Sequence, residues 1–339
     1  EISESVGEHR LSQIDVTDTT CGYCAVGCRF DLYTKDGEVL AVRPTEEEKA
    51  PVNGISTCVK GKFSYDYVTS DDRLTQPLIK ENGEFREASW EEALDLVAER
   101  LKEIKREHGS DALGVISSSK ATNEDNYVMQ KFGRQSLETN NIDNCNRLCH
   151  APTVEALKEV VGYGAASVSM DDLIETDCYL ITGSNTTEAH PVIATRIKQN
   201  IKDNDADLFV FDPRKVQIAE YATQYSRVKP GYDTVWINGL IRYIVENDLH
   251  DEGFIEERTT GFEELRESVQ EFTPEYVEEV TGVPPKELEN AAETIATADS
   301  CVFCWTLGLT EHTHGTQNVI SMANLALITG NVGKTGTGL

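Results

Sequence analysis

Basic residues are scarce in this 339-residue chain: 31 lysines and arginines stand against 59 aspartates and glutamates, a formal net charge of −28. Such a surface repels phosphate backbones and anionic lipid, which excludes nucleic-acid binding. It is the charge expected of a halophilic protein, working where concentrated counterions screen self-repulsion. Long apolar runs are missing as well. The richest stretches, 301–309 and 319–328, fall short of the roughly 18 continuous apolar residues that a spanning helix needs, so no membrane span is expected and a cytoplasmic location is. The chain opens on Glu1 rather than methionine, which points to processing or to a piece of something longer. Nowhere is there a Gly-x-Gly-x-x-Gly fingerprint, so an ordinary NAD site finds no support. At roughly 100–200 residues per domain, the length suits two domains or one large one.

Cysteine is what the chain does have. Cys21, Cys24, Cys28 and Cys58 form C-x2-C-x3-C-x29-C, three thiols from one tight loop and a fourth returning later. A cubane iron-sulfur cluster needs four soft thiolates, and a compact loop can hold three of them together. Structural zinc is the competing reading, though it more often uses two separated C-x2-C knuckles. Residues 30–34 and 39–42 read as two short strands joined at Asp36-Gly37, a hairpin signal, so the four cysteines belong to a small β-rich lobe. Lys60, two residues after Cys58, is either a cation beside the cluster or a solvated surface lysine. Cys178 lies in a buried-strand pattern and reads as core. Cys301 and Cys304 repeat the C-x2-C spacing inside an apolar run; on a strand, residues three apart face opposite sides, which argues against a metal there. Cys145 and Cys149 precede a helical segment at 154–161. A thiol there can gain thiolate character from the helix end and from Arg147 or His150, leaving reactive thiol and metal ligand both open.

Ser89 to Glu92 reads as a capping box opening a helix whose apolar positions run from Ala93 to Ile104, with Gly109 as its stop. A strand at 113–116, a polar turn and a helix at 124–137 follow. The strand-turn-helix pattern recurs at 178–182 with the turn from Gly183 and a helix near 191–201, at 208–212 with the turn from Asp212, and at 302–305 with the turn from Gly308. Repeated units of this kind imply a parallel sheet, with ligands at the carboxyl ends of its strands. Gly183, Asp212 and Gly308 would then gather at one ligand, and a nucleotide-bearing one fits, with Asp212 or Asp233 as acceptors.

With these residues in view the chain resembles the molybdopterin-dependent oxidoreductases, and within them the formate dehydrogenase catalytic subunit. The likeness covers residues 21–339. It is carried by the four-cysteine motif, Cys58-Val59-Lys60-Gly61, the stretch 126–132, Arg147-Leu148-Cys149-His150-Ala151-Pro152, Asp212-Pro213-Arg214-Lys215, and 327–333. The resemblance implies an α/β fold: a small β-rich iron-sulfur lobe plus Rossmann-like parallel-sheet domains of the formate dehydrogenase and DMSO reductase type. The expected domains are 1–75 for the 4Fe-4S lobe, 76–144 for the first part of an α/β cofactor-binding domain, and 145–339 for a Rossmann-like dinucleotide-binding domain.

The resemblance also implies chemistry. Molybdenum or tungsten would be held by the dithiolenes of two molybdopterin guanine dinucleotides, with the thiolate of Cys149 as a further ligand. His150 stands in the family's place for accepting or orienting a proton as formate becomes CO2. Lys60 would relay electrons between a pterin and a 4Fe-4S cluster on Cys21, Cys24, Cys28 and Cys58. Lys120, Gly183, Asn185, Glu188, Asp212, Arg214, Asp233, Gly308 and Glu311 occupy positions where relatives touch the dinucleotides, although some relatives carry arginine in place of Lys120 and glutamine in place of Glu311. An electron-acceptor subunit or ferredoxin would take the electrons. Related nitrate reductases carry Cys-Met where this chain has Cys149-His150, which favours formate. A further alternative is a non-catalytic iron-sulfur subunit, against which Cys149 argues. In relatives, the match to 336–339 is followed by an arginine that holds formate and by several hundred residues completing the cleft. The chain is therefore expected to be a fragment, with the remaining C-terminal half as its partner, or a short chain working with a separate second half.

Overall fold

A computed structural model describes residues 10–339. They form two compact units, the first ending at Arg147 and the second spanning Leu148–Leu339.

The first unit opens with a three-stranded antiparallel sheet, β1 (Asp15–Thr20), β2 (Arg29–Lys35) and β3 (Glu38–Pro44), in sequential order. The β2–β3 turn runs through Asp36 and Gly37, both with positive φ, as the Asp-Gly signal requires. Leu40, Ala41 and Val42 of β3 are buried. Helix α1 (Val59–Phe63) follows directly on Cys58, which is its N-cap. A second hairpin pairs β4 (Leu78–Glu81) with β5 (Glu84–Glu87) and leads into helix α2 (Trp90–His108).

At the start of α2 the capping-box expectation is met only in part. The hydroxyl of Ser89 accepts from the Glu92 N–H at 3.1 Å, while the Glu92 carboxylate is held chiefly by Arg86 at 2.6 Å and the Ser89 N–H acts on it only weakly. A cation within reach outcompetes a single backbone N–H for a carboxylate. A full box forms instead at Thr122, with Asp125 returning the bond, at the head of α3 (Asn123–Phe132). The expected helix at 124–137 is thus shorter, and Gly133–Leu137 widens into a π turn. A parallel pair, β6 (Val115–Ser117) and β7 (Ile142–Asn144), flanks α3 in the chain. Leu101 and Ile104 of α2 pack on Leu113, Val115 and Leu137, whereas Leu94 and Val97 stay exposed.

The second unit is built on a four-stranded sheet, β8 (Cys178–Thr182), β9 (Asp207–Phe211), β10 (Gln224–Ser226) and β11 (Cys301–Trp305), all parallel, in the order β10-β9-β8-β11. Its strands are apolar on both faces because both are covered. On one face, Cys178, Leu180, Phe209, Phe211, Cys301 and Phe303 pack with helices α4 (Ala151–Val161), α6 (Asp233–Glu246), α7 (Pro285–Thr297) and α8 (Gly315–Ile328). On the other, Tyr179, Ile181, Leu208, Val210 and Val302 pack with α5 (Pro191–Asn204). Each fully buried side chain of this size contributes about 1.5–3 kcal/mol. Cys301 lies in the first core and Cys304 against the second, so strand geometry separates this C-x2-C pair.

The strand order matters for function. From β8 the chain moves outward one way to β9 and β10, then returns to place β11 on the other side of β8. The reversal falls between β8 and β11, and the loops after such neighbouring strands are the usual ligand position in sheets of this kind.

Candidate functional site

In the first unit, the β1–β2 loop curls because Ala25 and Gly27 take positive φ, and it is closed by the Cys21 N–H donating to the Cys28 carbonyl at 2.8 Å. Asn53 brings the fourth cysteine's segment to this loop. It is buried, accepts from the Arg29 N–H at 2.8 Å, and donates to the carbonyls of Arg29, Gly54 and Ser56. Gly61 lies so close to Cys21 that a Cβ there would stand 3.3 Å from its sulfur. Burial pushes the Cys21 thiol up, as do Cys24 and Cys58, while the Lys60 ammonium pulls it down. Burial, followed by the charges of Cys21, Cys24 and Cys58, pushes the Cys28 thiol up to about 12. The four sulfurs thus sense one another, yet among the described residues no three His, Cys, Asp or Glu groups converge as around one metal ion. Lys120 also belongs to this unit, in the turn after β6, where its N–H meets the Ser118 hydroxyl.

Cys145 is exposed, and its thiol is lowered by the N–H and hydroxyl of Ser119, at 3.3 and 3.2 Å. Arg147, expected to act on a thiol, turns to Asp143 at 2.7 Å instead.

In the second unit the loops after β8, β9 and β11 meet. Gly308 donates its N–H to the Gly183 carbonyl at 3.1 Å, and Thr306 donates its hydroxyl to the same oxygen at 2.6 Å. Any Cβ on Gly308 would lie 2.5 Å from the Gly183 Cα, so only glycine lets these backbones touch. Asp212 is buried and accepts from the Arg214 N–H at 2.8 Å; burial raises its carboxyl above the usual range, against the Arg214 and Ser184 N–H groups. Asp233 begins α6, with its carboxylate 3.7 Å from Nε2 of His312. Burial raises this carboxyl too, and His312 opposes the shift. Asn318 joins the two regions, donating to the Leu309 carbonyl at 2.9 Å while accepting from Thr234 at 2.5 Å.

The same β11 loop holds the residues before α4. Thr310 donates its hydroxyl to the Cys149 carbonyl at 2.6 Å. His150 is the N-cap of α4, which begins three residues earlier than its periodicity suggested, with Pro152 in its first turn. Burial lowers the imidazole, and the nearby charge of Glu311 raises it. Glu311 is therefore within electrostatic reach of His150. Asn185 caps the short helix after β8 with Glu188 exposed on it, and Arg214 is exposed beyond Asp212.

Sequence reasoning missed Asn53, Thr306, Thr310, His312 and Asn318. Each acts through a contact far along the chain, and no local spacing announces it.

Comparisons with known proteins agree with this architecture. Residues 73–339 match the molybdopterin oxidoreductase family, and residues 14–70 match the molybdopterin oxidoreductase Fe4S4 domain. Proteins named "Putative formate dehydrogenase" from Staphylococcus aureus strains MRSA252 and USA300 are each 47% identical over 99% of this chain, which spans 34% of their length. Among solved structures, acetylene hydratase from Pelobacter acetylenicus aligns over 95% of this chain and 44% of its own, with a TM-score of 0.78 and 25% identity. Among the described residues no helix is long and apolar enough to cross a membrane. The chain belongs to the molybdopterin oxidoreductase family, with an Fe4S4 domain at its N-terminal end.

Proposed function

We propose that this chain is the cofactor-holding part of a formate dehydrogenase catalytic subunit, converting HCOO⁻ to CO2, a proton and two electrons. The observation that carries the reading is the Cys149-His150 pair at the head of α4, fastened through Thr310 to the loop that meets Gly183 at the carboxyl end of the sheet. A thiol there can serve as a heavy-metal ligand, and the histidine beside it can handle a proton or hold a carboxylate.

The residues present fit the dinucleotides of the family. The side-chain oxygens of Thr182, Asn185 and Thr187 are buried without a hydrogen-bond partner, all at the carboxyl end of β8. Unpaired polar atoms in one loop are what a polar ligand would satisfy. Gly183 and Gly308 supply a surface without side chains for close approach, Asp212 and Asp233 offer buried acceptors to guanine donors, and Arg214 offers a cation to phosphate. When bound, the metal with its two pterins supplies the two-electron oxidation of formate.

In the first unit, Cys21, Cys24, Cys28 and Cys58 would hold the 4Fe-4S cluster. Three thiols from one tight loop and a fourth from later in the chain suit a cubane better than zinc, which more often uses two separated C-x2-C knuckles. Lys60, whose charge acts on Cys21, is the proposed relay, and Lys120 a proposed contact to a dinucleotide.

Metal analysis with a turnover assay tests the proposal. The holoenzyme is expected to carry about one Mo or W per four Fe and to reduce a viologen dye with formate. Iron with neither heavier metal would point to an electron-transfer subunit, and turnover of nitrate in place of formate to a nitrate reductase.

A further inference from the structure

The four-cysteine motif reaches its lobe in two parts, Cys21, Cys24 and Cys28 on the β1–β2 loop and Cys58 as the N-cap of α1. The two parts come together at Cys21. Gly61, buried in the first turn of α1, stands so near that sulfur that a Cβ would lie 3.3 Å from it. Any sliding of α1 against the loop therefore changes the surroundings of the Cys21 sulfur.

One side chain ties loop and helix together. Tyr23, between Cys21 and Cys24, donates its phenol hydroxyl to the Ser64 carbonyl at 2.5 Å, 41 residues further along the chain. A carbonyl only accepts, so the direction of this bond is fixed. Ser64 is the C-cap of α1, and the bond thus runs from the loop to the far end of the helix that Cys58 begins. The ring is steadied from the side as well, edge-on to Tyr67 with centroids 6.3 Å apart and planes at 83°. The main chain of the same residue faces the other way: the Tyr23 N–H is the backbone donor that reaches the Cys21 sulfur. Tyr23 holds α1 with its side chain and a ligand sulfur with its backbone.

We propose that Tyr23 is a positioning residue of the iron-sulfur site, fixing the loop against α1 so that its own N–H stays on the Cys21 sulfur and keeps the reduction potential of the cluster up. Resting on Cys21, Cys24, Cys28 and Cys58 as ligands of a 4Fe-4S cluster, this role follows from charge. Reduction adds one electron to the cage and its thiolates, and an N–H aimed at a ligand sulfur stabilises that added negative charge. Without the phenol bond the loop can turn, the N–H contact lengthens, and the reduced form loses its support.

The test is a redox titration of the holoenzyme, wild type against Tyr23→Phe, followed by the EPR signal of the reduced cluster. Phenylalanine keeps the ring against Tyr67 and removes only the hydroxyl. The signal comes only from chains that hold a cluster, so partial loss of iron in the variant leaves the midpoint readable. At the wild-type midpoint, where reduced and oxidised clusters are equal, the variant is expected to show a reduced-to-oxidised ratio about fivefold lower, the weight of one hydrogen bond. Tyr67→Leu, which removes the lateral contact and leaves the hydroxyl, is expected to move the midpoint less. An unchanged or raised midpoint in Tyr23→Phe, or a larger fall in Tyr67→Leu than in Tyr23→Phe, would overturn the proposal. A wild-type protein that binds no iron would instead remove the cluster reading itself.

Discussion

The hydroxyl of Thr310 donates to the carbonyl of Cys149 at 2.6 Å, joining residues 161 apart in the chain. Thr310 is fully buried, and the residues beside it in the β11 loop touch Gly183 and Asn318. This bond fastens Cys149 by its main chain to the β11 loop. Thr310→Val should lower unfolding stability by about 1–3 kcal/mol, because the carbonyl loses a buried donor. Thr310→Ser, which keeps the hydroxyl, should recover most of that. Urea unfolding of the two variants checks it; equal losses would show that the hydrogen bond carries no weight.

Asn53 has a comparable part in the first unit, with two hydrogen bonds to the Arg29 backbone at the start of β2 and two to the Gly54 and Ser56 carbonyls of its own segment before Cys58. Asn53→Ala should cost about 2 kcal/mol, the penalty for stranding buried backbone groups. Iron content per chain should fall with it even though no cysteine is touched. Retention of full iron would show that the loop holds its geometry without Asn53.

Much of the α/β architecture was legible because strands such as Cys178–Thr182 are short apolar runs ended by glycine, and helices such as Trp90–His108 carry a cap and a stop. The convergence of Gly183 and Gly308 was legible in part, since parallel strands put their following loops on one side. That these two loops are neighbours depends on strand order, which no local pattern encodes. Glu92 shows the limit clearly: it satisfies the capping-box spacing, but Arg86 competes for it, and competition among partners is a tertiary matter. Hydroxyl contacts such as Thr310 to Cys149 leave no periodic trace at all.

Asp212 gives a pH signature. Its unfolded carboxyl titrates near 3.8, and burial raises the folded value. Between the two the native state holds a proton that the unfolded chain has lost, so stability falls as pH rises through that window and stays lower above it. Asp212→Asn should therefore make the cofactor-free protein more stable than wild type at pH 7, with the difference vanishing as pH falls toward the unfolded value. Denaturant midpoints across that range check it. A destabilised variant at neutral pH would mean that the N–H groups of Arg214 and Ser184 outweigh the burial of charge.

The net charge of −28 makes salt a second variable. Raising sodium chloride from about 0.1 M to 1 M shortens the Debye length from about 10 Å to 3 Å. Self-repulsion should weaken and the thermal midpoint should rise. A midpoint that stays flat or falls would remove the proposed adaptation to high salt.

The Cys149 sulfur, proposed above as a ligand to the heavy metal, can be observed directly. X-ray absorption at the Mo or W edge of the oxidised holoenzyme counts the sulfur neighbours directly. Comparison of wild type with Cys149→Ser should show one fewer sulfur in the variant, replaced by an oxygen at shorter distance. An unchanged sulfur count in Cys149→Ser would contradict the account.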